Sequence, residues 1–267
     1  MATLSYVFCL VSSARRPAVR GTGMPGGAQL RAIDLDDGLW AIVEDVPASE
    51  YDEAALARGL QDLEWVGPRA VAHEHVIERF LGADALLPMQ LFTLFTSDDR
   101  VVEHVRADRA RIRRILKRVE RKVEWGVRLT WDERAARATI ESEHANPKGS
   151  RRNTRSGADR SGPRSGASYL SRKRDLLDVN RQQLASARAD ATRVFKSVSR
   201  AAVASQRRTG IERAAPGSRL LLDAAFLVAR PKTAAFRATV KKHARELRGS
   251  GVSVALTGPW PAYNFIA

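Results

Sequence analysis

Between His144 and Ser168 the chain contains no Leu, Ile, Val or Phe, while Gly, Ser, Pro and Arg dominate. Such a stretch has almost nothing to bury, so ordering it would cost backbone entropy without compensating apolar burial. It reads as a flexible basic insertion, with six cations against Asp159. Any hydrophobic core must be built separately from the segments before and after it. Those segments can supply one, since 44% of the 267 residues are hydrophobic and 28% are charged, as in ordinary globular proteins.

Before the insertion, the apolar run Leu4 to Val11 pairs naturally with Gly38 to Asp45, across a Gly/Pro-rich loop from Arg20 to Ala28. A helix begins near Ser49, with Ser49 or Asp52 as its cap, and a second starts after Gly67-Pro68 and ends at Gly82. Ala85 to Phe95 reads as one strand interrupted by Pro88. Asp98 and Asp99 open a long helix to Val119, apolar every three to four residues and arginine-rich on its other face. Val123 to Trp131 alternates as a strand that places Trp125 and Trp131 on one face, where at least one should be core.

After the insertion, a long helix begins at Tyr169, with Leu170, Leu177, Leu184, Ala191 and Val198 seven residues apart. A strand at Leu220 to Ala229, a helix from Pro231 to Leu247 and a strand at Val252 to Leu256 follow. From Val123 the order is strand, helix, strand, helix, strand, which with an antiparallel sheet is a ferredoxin-like sandwich. The expected fold class is α+β with two domains. These are an N-terminal α+β domain over residues 1–121 and a ferredoxin-like domain over 122–257, interrupted by 144–168. A tail over 258–267 completes the chain. The tail carries Trp260, Tyr263 and Phe265 beside Pro259 and Pro261, a stiff non-helical strip that must either close a core or meet a partner. The strand just before it favours packing back on the protein's own domains.

Charge is unevenly spread: residues 1–97 hold 7 basic and 13 acidic side chains, residues 98–267 hold 38 and 17. This asymmetry suits contact with a charged surface or with other copies of the chain. Basic helices would attract phosphate, but they lack interleaved exposed aromatics and no strand reads as an RNP element, so nucleic acid is the second choice of partner. No run of eighteen apolar residues offers a membrane span, and the N-terminal run lacks a signal's positive flank, so an intracellular, cytoplasmic protein is expected. Cys9, the single cysteine, reads as a buried small hydrophobe.

Catalytic and cofactor motifs are weak. His73 and His75 lie two apart, which on a helix turns them about 200° from each other, so they cannot share one metal ion. His73, with Glu74 beside it, reads instead as a hydrogen-bonding residue on a helix face. No G-x-S-x-G is present, and Gly21 to Gly27 lacks the G-K-[ST] of a phosphate loop. No enzyme, cofactor or metal is expected.

Five stretches taken together resemble the gas vesicle protein family that includes GvpF and GvpL. They are Tyr6 to Val11, Arg69 to Glu74, Leu87 to Phe95, Val123 to Val127, and the terminal Gly258-Pro-Trp-Pro-Ala-Tyr-Asn-Phe265. Departures fall at Gln90 and Phe92, where the family usually has a basic residue and a glycine, and at Ala262, where it commonly has proline. The resemblance implies two α+β domains, the second ferredoxin-like, with the tail packing back. It also implies a non-enzymatic assembly factor or minor vesicle component, acting chaperone-like on the small hydrophobic shell protein and alongside other vesicle accessory proteins. His73, Glu74, Trp125, Trp260, Tyr263 and Phe265 are the structural or partner-contact candidates.

Overall fold

In a computed structural model, residues 2–136, 138, 166–208 and 217–266 are described. The expected basic insertion therefore lies outside the described residues up to position 165, and helix begins at Gly166. The chain is mixed α/β with two antiparallel sheets. It divides into two compact units, one of residues 1–125, 227–231 and 258–267, the other of 126–226 and 232–257.

The first unit is built on β1 (Thr3–Ser12), β2 (Arg31–Asp34) and β3 (Leu39–Pro47), with β4 (Ala85–Pro88) and the short β5 (Leu94–Phe95). Sheet order is β2-β3-β1-β4, with β5 also on β1. β1 pairs antiparallel with β3, as the two apolar runs imply, and seven consecutive β1 residues from Ser5 to Val11 are buried. The expected single strand Ala85–Phe95 is instead two. Cys9 faces Pro88 and Tyr6 faces Leu94, so five residues, Met89 to Thr93, leave the ladder opposite only Val7 and Phe8 of β1. β1 itself shifts register between Val7 and Cys9, and the excursion is tied down where Met89 N–H donates to Phe8 O at 2.9 Å and Val7 N–H to Thr93 O at 2.9 Å.

Helices α1 (Ala48–Tyr51), α2 (Glu53–Gly59) and α3 (Leu63–Glu78) follow β3. Asp52 caps α2 by accepting from Ala55 N–H. α3 starts at Leu63, ahead of the expected Gly67-Pro68, because Asp62 caps it and accepts from Glu64 N–H. Pro68 is tolerated inside because the amide it lacks would serve the exposed first turn. The expected long helix from Asp98 is two helices, α4 (Asp98–Ala107) and α5 (Arg109–Val119), broken at Asp108 (φ −104°, ψ 17°). Each then turns its own stripe inward: Val101 and Val105, then Ile112, Leu116 and Val119.

The second sheet has the order β7-β8-β6-β9, with β6 (Lys122–Asp132), β7 (Ala204–Arg207), β8 (Ser218–Ala229) and β9 (Val252–Trp260). α6 (Gly166–Ser199) joins β6 to β7, and α7 (Thr233–Glu246) joins β8 to β9. β7 has no apolar alternation, which is why the sequence showed three strands here and not four. Within this unit Asp223 accepts from Arg208 Nη2 at 2.6 Å and from Arg128 Nη2 at 2.9 Å, linking β8 to β6 and to the end of β7. Of the expected heptad positions on α6, Ala191 and Val198 are buried, as are Ala187 and Val194, while Leu170 and Leu177 lie outside the described side chains. Both Trp125 (4% exposed) and Trp131 (1%) are buried.

Candidate functional site

Within the first unit a groove of about 1030 Å³ opens between α3, the Met89–Thr93 excursion, α4, α5 and the tail. Leu91, Phe92, Ile112, Ile115 and Ile266 supply apolar wall, and Glu74, His104 and Arg111 supply polar groups. Arg111 Nη1 donates to Asp108 at 3.1 Å, so the break between α4 and α5 also places an ion pair on the rim.

The excursion that forms one wall is held by a chain of buried and part-buried hydrogen bonds. Phe92 N–H donates to Tyr6 Oη at 3.1 Å, and Tyr6 O–H lies 2.8 Å from His73 Nδ1. His73 Nε2 lies 3.2 Å from Met89 O, a carbonyl that can only accept. The proton must then sit on Nε2, leaving Nδ1 to accept from Tyr6. All three links are met with His73 neutral. Burial holds its imidazole below the ordinary range, in agreement with that tautomer, although the Met89 carbonyl pulls weakly the other way. Burial likewise pushes the Tyr6 phenol well up.

The tail forms the opposite lip. Tyr263 O–H donates to Glu74 Oε2, while Glu74 Oε1 is buried with no hydrogen bond among the described residues. Burial raises the Glu74 carboxyl, and the phenol's hydrogen bond opposes that shift. One residue on, Asn264 donates twice to the nearly fully buried Glu124 of β6, from its backbone N–H at 2.8 Å and from Nδ2 at 2.6 Å. Arg118 Nη1 donates to Phe265 O at 3.1 Å. Gly258 precedes this lock at φ +113°, where a Cβ would lie 2.8 Å from Glu124 O. A side chain there is excluded by both conformation and space.

Of the six candidates from sequence, the structure brings His73, Glu74 and Tyr263 together on the groove. Trp125 and Phe265 are core, at 4% and 7% exposure, and Trp260 is half-buried at the end of β9, away from the groove lining. Tyr263 keeps 37% of its surface exposed, with its hydroxyl spent on Glu74. Sequence reasoning missed Tyr6, Asn264 and Glu124. Glu124 alone left a trace, as a carboxylate inside an otherwise apolar Val-Glu-Trp-Gly-Val strand.

The Gly21–Gly27 loop also changes meaning. Glu44, wholly buried on β3, accepts from Gly23 N–H and Met24 N–H at 2.6 Å each. A Cβ on Gly27 would sit 2.0 Å from Glu44 Oε1, and one on Gly23 would sit 2.6 Å from the Phe8 ring. The amides that a phosphate would need are already committed to the chain's own carboxylate. Among the described residues no group of three His, Cys, Asp or Glu could hold a metal ion, and no helix is long and apolar enough to cross a membrane.

Comparisons with known proteins match the whole of this architecture. The family model described as "Gas vesicle synthesis protein GvpL/GvpF" matches residues 4–267. Gas vesicle protein L of Streptomyces sp. (strain CB03234) is 31% identical over 274 residues, covering 98% of this chain and 92% of that protein. The crystal structure of the gas vesicle protein GvpF from Anabaena sp. PCC7120 superposes with a TM-score of 0.66 at 14% identity, covering 100% of this chain and 99% of that one. GvpF from Microcystis aeruginosa gives 0.64 at 13% identity, with both chains covered in full. At such identities these two structures speak for the fold.

Proposed function

Because the chain belongs to the gas vesicle synthesis protein GvpL/GvpF family and so has a gas vesicle-related role, we propose that it is a non-enzymatic assembly factor or minor vesicle component. In this reading it binds the small hydrophobic shell protein and limits its aggregation during nucleation. The observation that carries the reading is the groove in the first unit. An aggregation-prone subunit needs its apolar surface occupied by a preformed apolar wall on a soluble carrier. Leu91, Ile112, Ile115 and Ile266 offer such a wall, and the hydrogen bonds of Tyr6, His73 and Glu74 keep it preformed.

In the same reading the second unit is a ferredoxin-like domain. Its β6-α6-β7-β8-α7-β9 order and β7-β8-β6-β9 sheet support this. Domains at 1–121 and 122–257, a tail at 258–267, a cytoplasmic setting and contact with other vesicle accessory proteins complete the proposal.

The test is co-expression with the shell protein. The wild-type chain is expected to raise the soluble shell protein and to co-purify with it. Leu91→Asp with Ile115→Asp, both half-buried on the groove, should abolish both effects while leaving the melting temperature within a few degrees. Unchanged co-purification by that variant, or normal vesicles after deletion of the gene, would sink the proposal.

A further inference from the structure

A second apolar surface of the first unit lies around the α2–α3 turn and has a different chemistry. Leu60 is 57% exposed and Leu63 is 86% exposed, on a turn where both could have been polar at no cost to the core. Leu60 joins Leu4, Tyr51, Leu56, Phe92 and Leu94 around a shallow groove of about 530 Å³. Around it, residues 50 to 64 contain five carboxylates and one cation, Arg58. Glu53 and Glu64 are exposed and make no ion pair among the described residues. Phe92 sharpens the picture, since it holds φ +64° with its ring 5.4 Å from that of Trp65. A bulky residue in the left-handed region costs about 1–2 kcal/mol, and such strain concentrates where a side chain must be presented.

We infer that this surface docks a basic amphipathic helix supplied by another protein. The partner's apolar stripe sits on Leu56, Leu60, Leu63 and Phe92, and its Lys or Arg side chains meet Glu53 and Glu64. A helix is the fitting occupant because Leu56 on α2 and Leu60 at its C-cap, four apart and still in helical conformation, make a ridge that another helix's side chains straddle. The wall offered by α2 has its backbone groups already paired within the helix, so an extended strand would find no ladder there. Charge complementarity selects a cationic partner, although the whole chain carries a net charge of +15 and repels cations elsewhere. This inference does not depend on shell-protein binding.

The test uses the full-length chain and two labelled 18-residue helical peptides with one apolar stripe, a Leu/Lys helix and a Leu/Glu helix, read by fluorescence anisotropy. The Leu/Lys helix is expected to bind saturably and to weaken as salt rises, while the Leu/Glu helix should not bind. Leu60→Ser with Leu63→Ser should lower affinity at least about tenfold. Glu53→Gln with Glu64→Gln should flatten the salt dependence. Circular dichroism and melting temperature should match wild type for both variants. Equal binding of the two peptides, or undiminished binding by the Leu60→Ser/Leu63→Ser variant, would overturn the inference. So would a concentration-dependent dimer that the same leucine variant dissociates, because a second copy would then be the occupant.

Discussion

The tail lock and the α2–α3 surface lie in the same structural unit and treat their polar and apolar groups in opposite ways. At the tail, carboxylates are buried and committed: Glu124 holds two donors of Asn264, and Glu74 holds the Tyr263 phenol. At α2–α3, carboxylates are exposed and leucines face water. A buried charge without its partners costs several kcal/mol, so the first arrangement has to be satisfied inside the chain. An exposed leucine costs little by staying exposed and gains by being covered, so the second remains available to another molecule.

The largest expected effect tests the first half of that contrast. Glu124→Leu leaves two donors of Asn264 without acceptors, at a cost of about 3 kcal/mol in urea unfolding. Asn264→Ala added to it should cost little more, because both changes break one lock. Full additivity would mean that the tail is held some other way.

Next comes His73→Phe, which strands the Met89 carbonyl and frees the Tyr6 hydroxyl, for a loss of about 2 kcal/mol. It also carries a pH signature. His73 is held below its ordinary value of 6.5, so the unfolded chain takes up a proton that the folded chain refuses. Its contribution to stability is therefore complete above pH 6.5 and is lost as the pH falls below that value. Glu74 and Glu44 are raised from their ordinary 4.5, so theirs has the opposite sign: it is present at low pH and lost as the pH rises past 4.5. In the variant the loss of stability on acidification from pH 6.5 should shrink, and an unchanged profile would mean that His73 does not titrate on unfolding.

The smallest effect belongs to the open surface. Leu60→Ser and Leu63→Ser should each move stability by no more than about 0.5 kcal/mol. A larger loss would show that these leucines already serve the fold, and the contrast between the two regions would collapse.

Much of the architecture was legible in the chain itself. The β1–β3 pairing follows from two apolar runs on either side of a glycine-rich loop. The two long strands β6 and β8 and helices α6 and α7 follow from alternation and from three-to-four periodicity. What escaped was local competition. Asp62 out-ranked Gly67-Pro68 as a helix start, Asp108 broke a helix that its apolar stripe would have continued, and β7 was too short and polar to register. The division of Ala85–Phe95 into β4 and β5 depended on how many residues β1 offers opposite it, which no local pattern reveals.

By itself, then, the sequence determined where the long strands and most helices lie, where apolar content is too poor for a core, and which family the chain belongs to. These are matters of composition, period and motif, carried by neighbours along the chain. Only the tertiary structure decided that Glu124 meets Asn264 across 140 positions, that Tyr6 meets His73 across 67, and that Glu44 fills a loop resembling an anion site. A hydrogen bond is specified by where two groups come to rest in space, and those places exist only once the sheets and helices have packed.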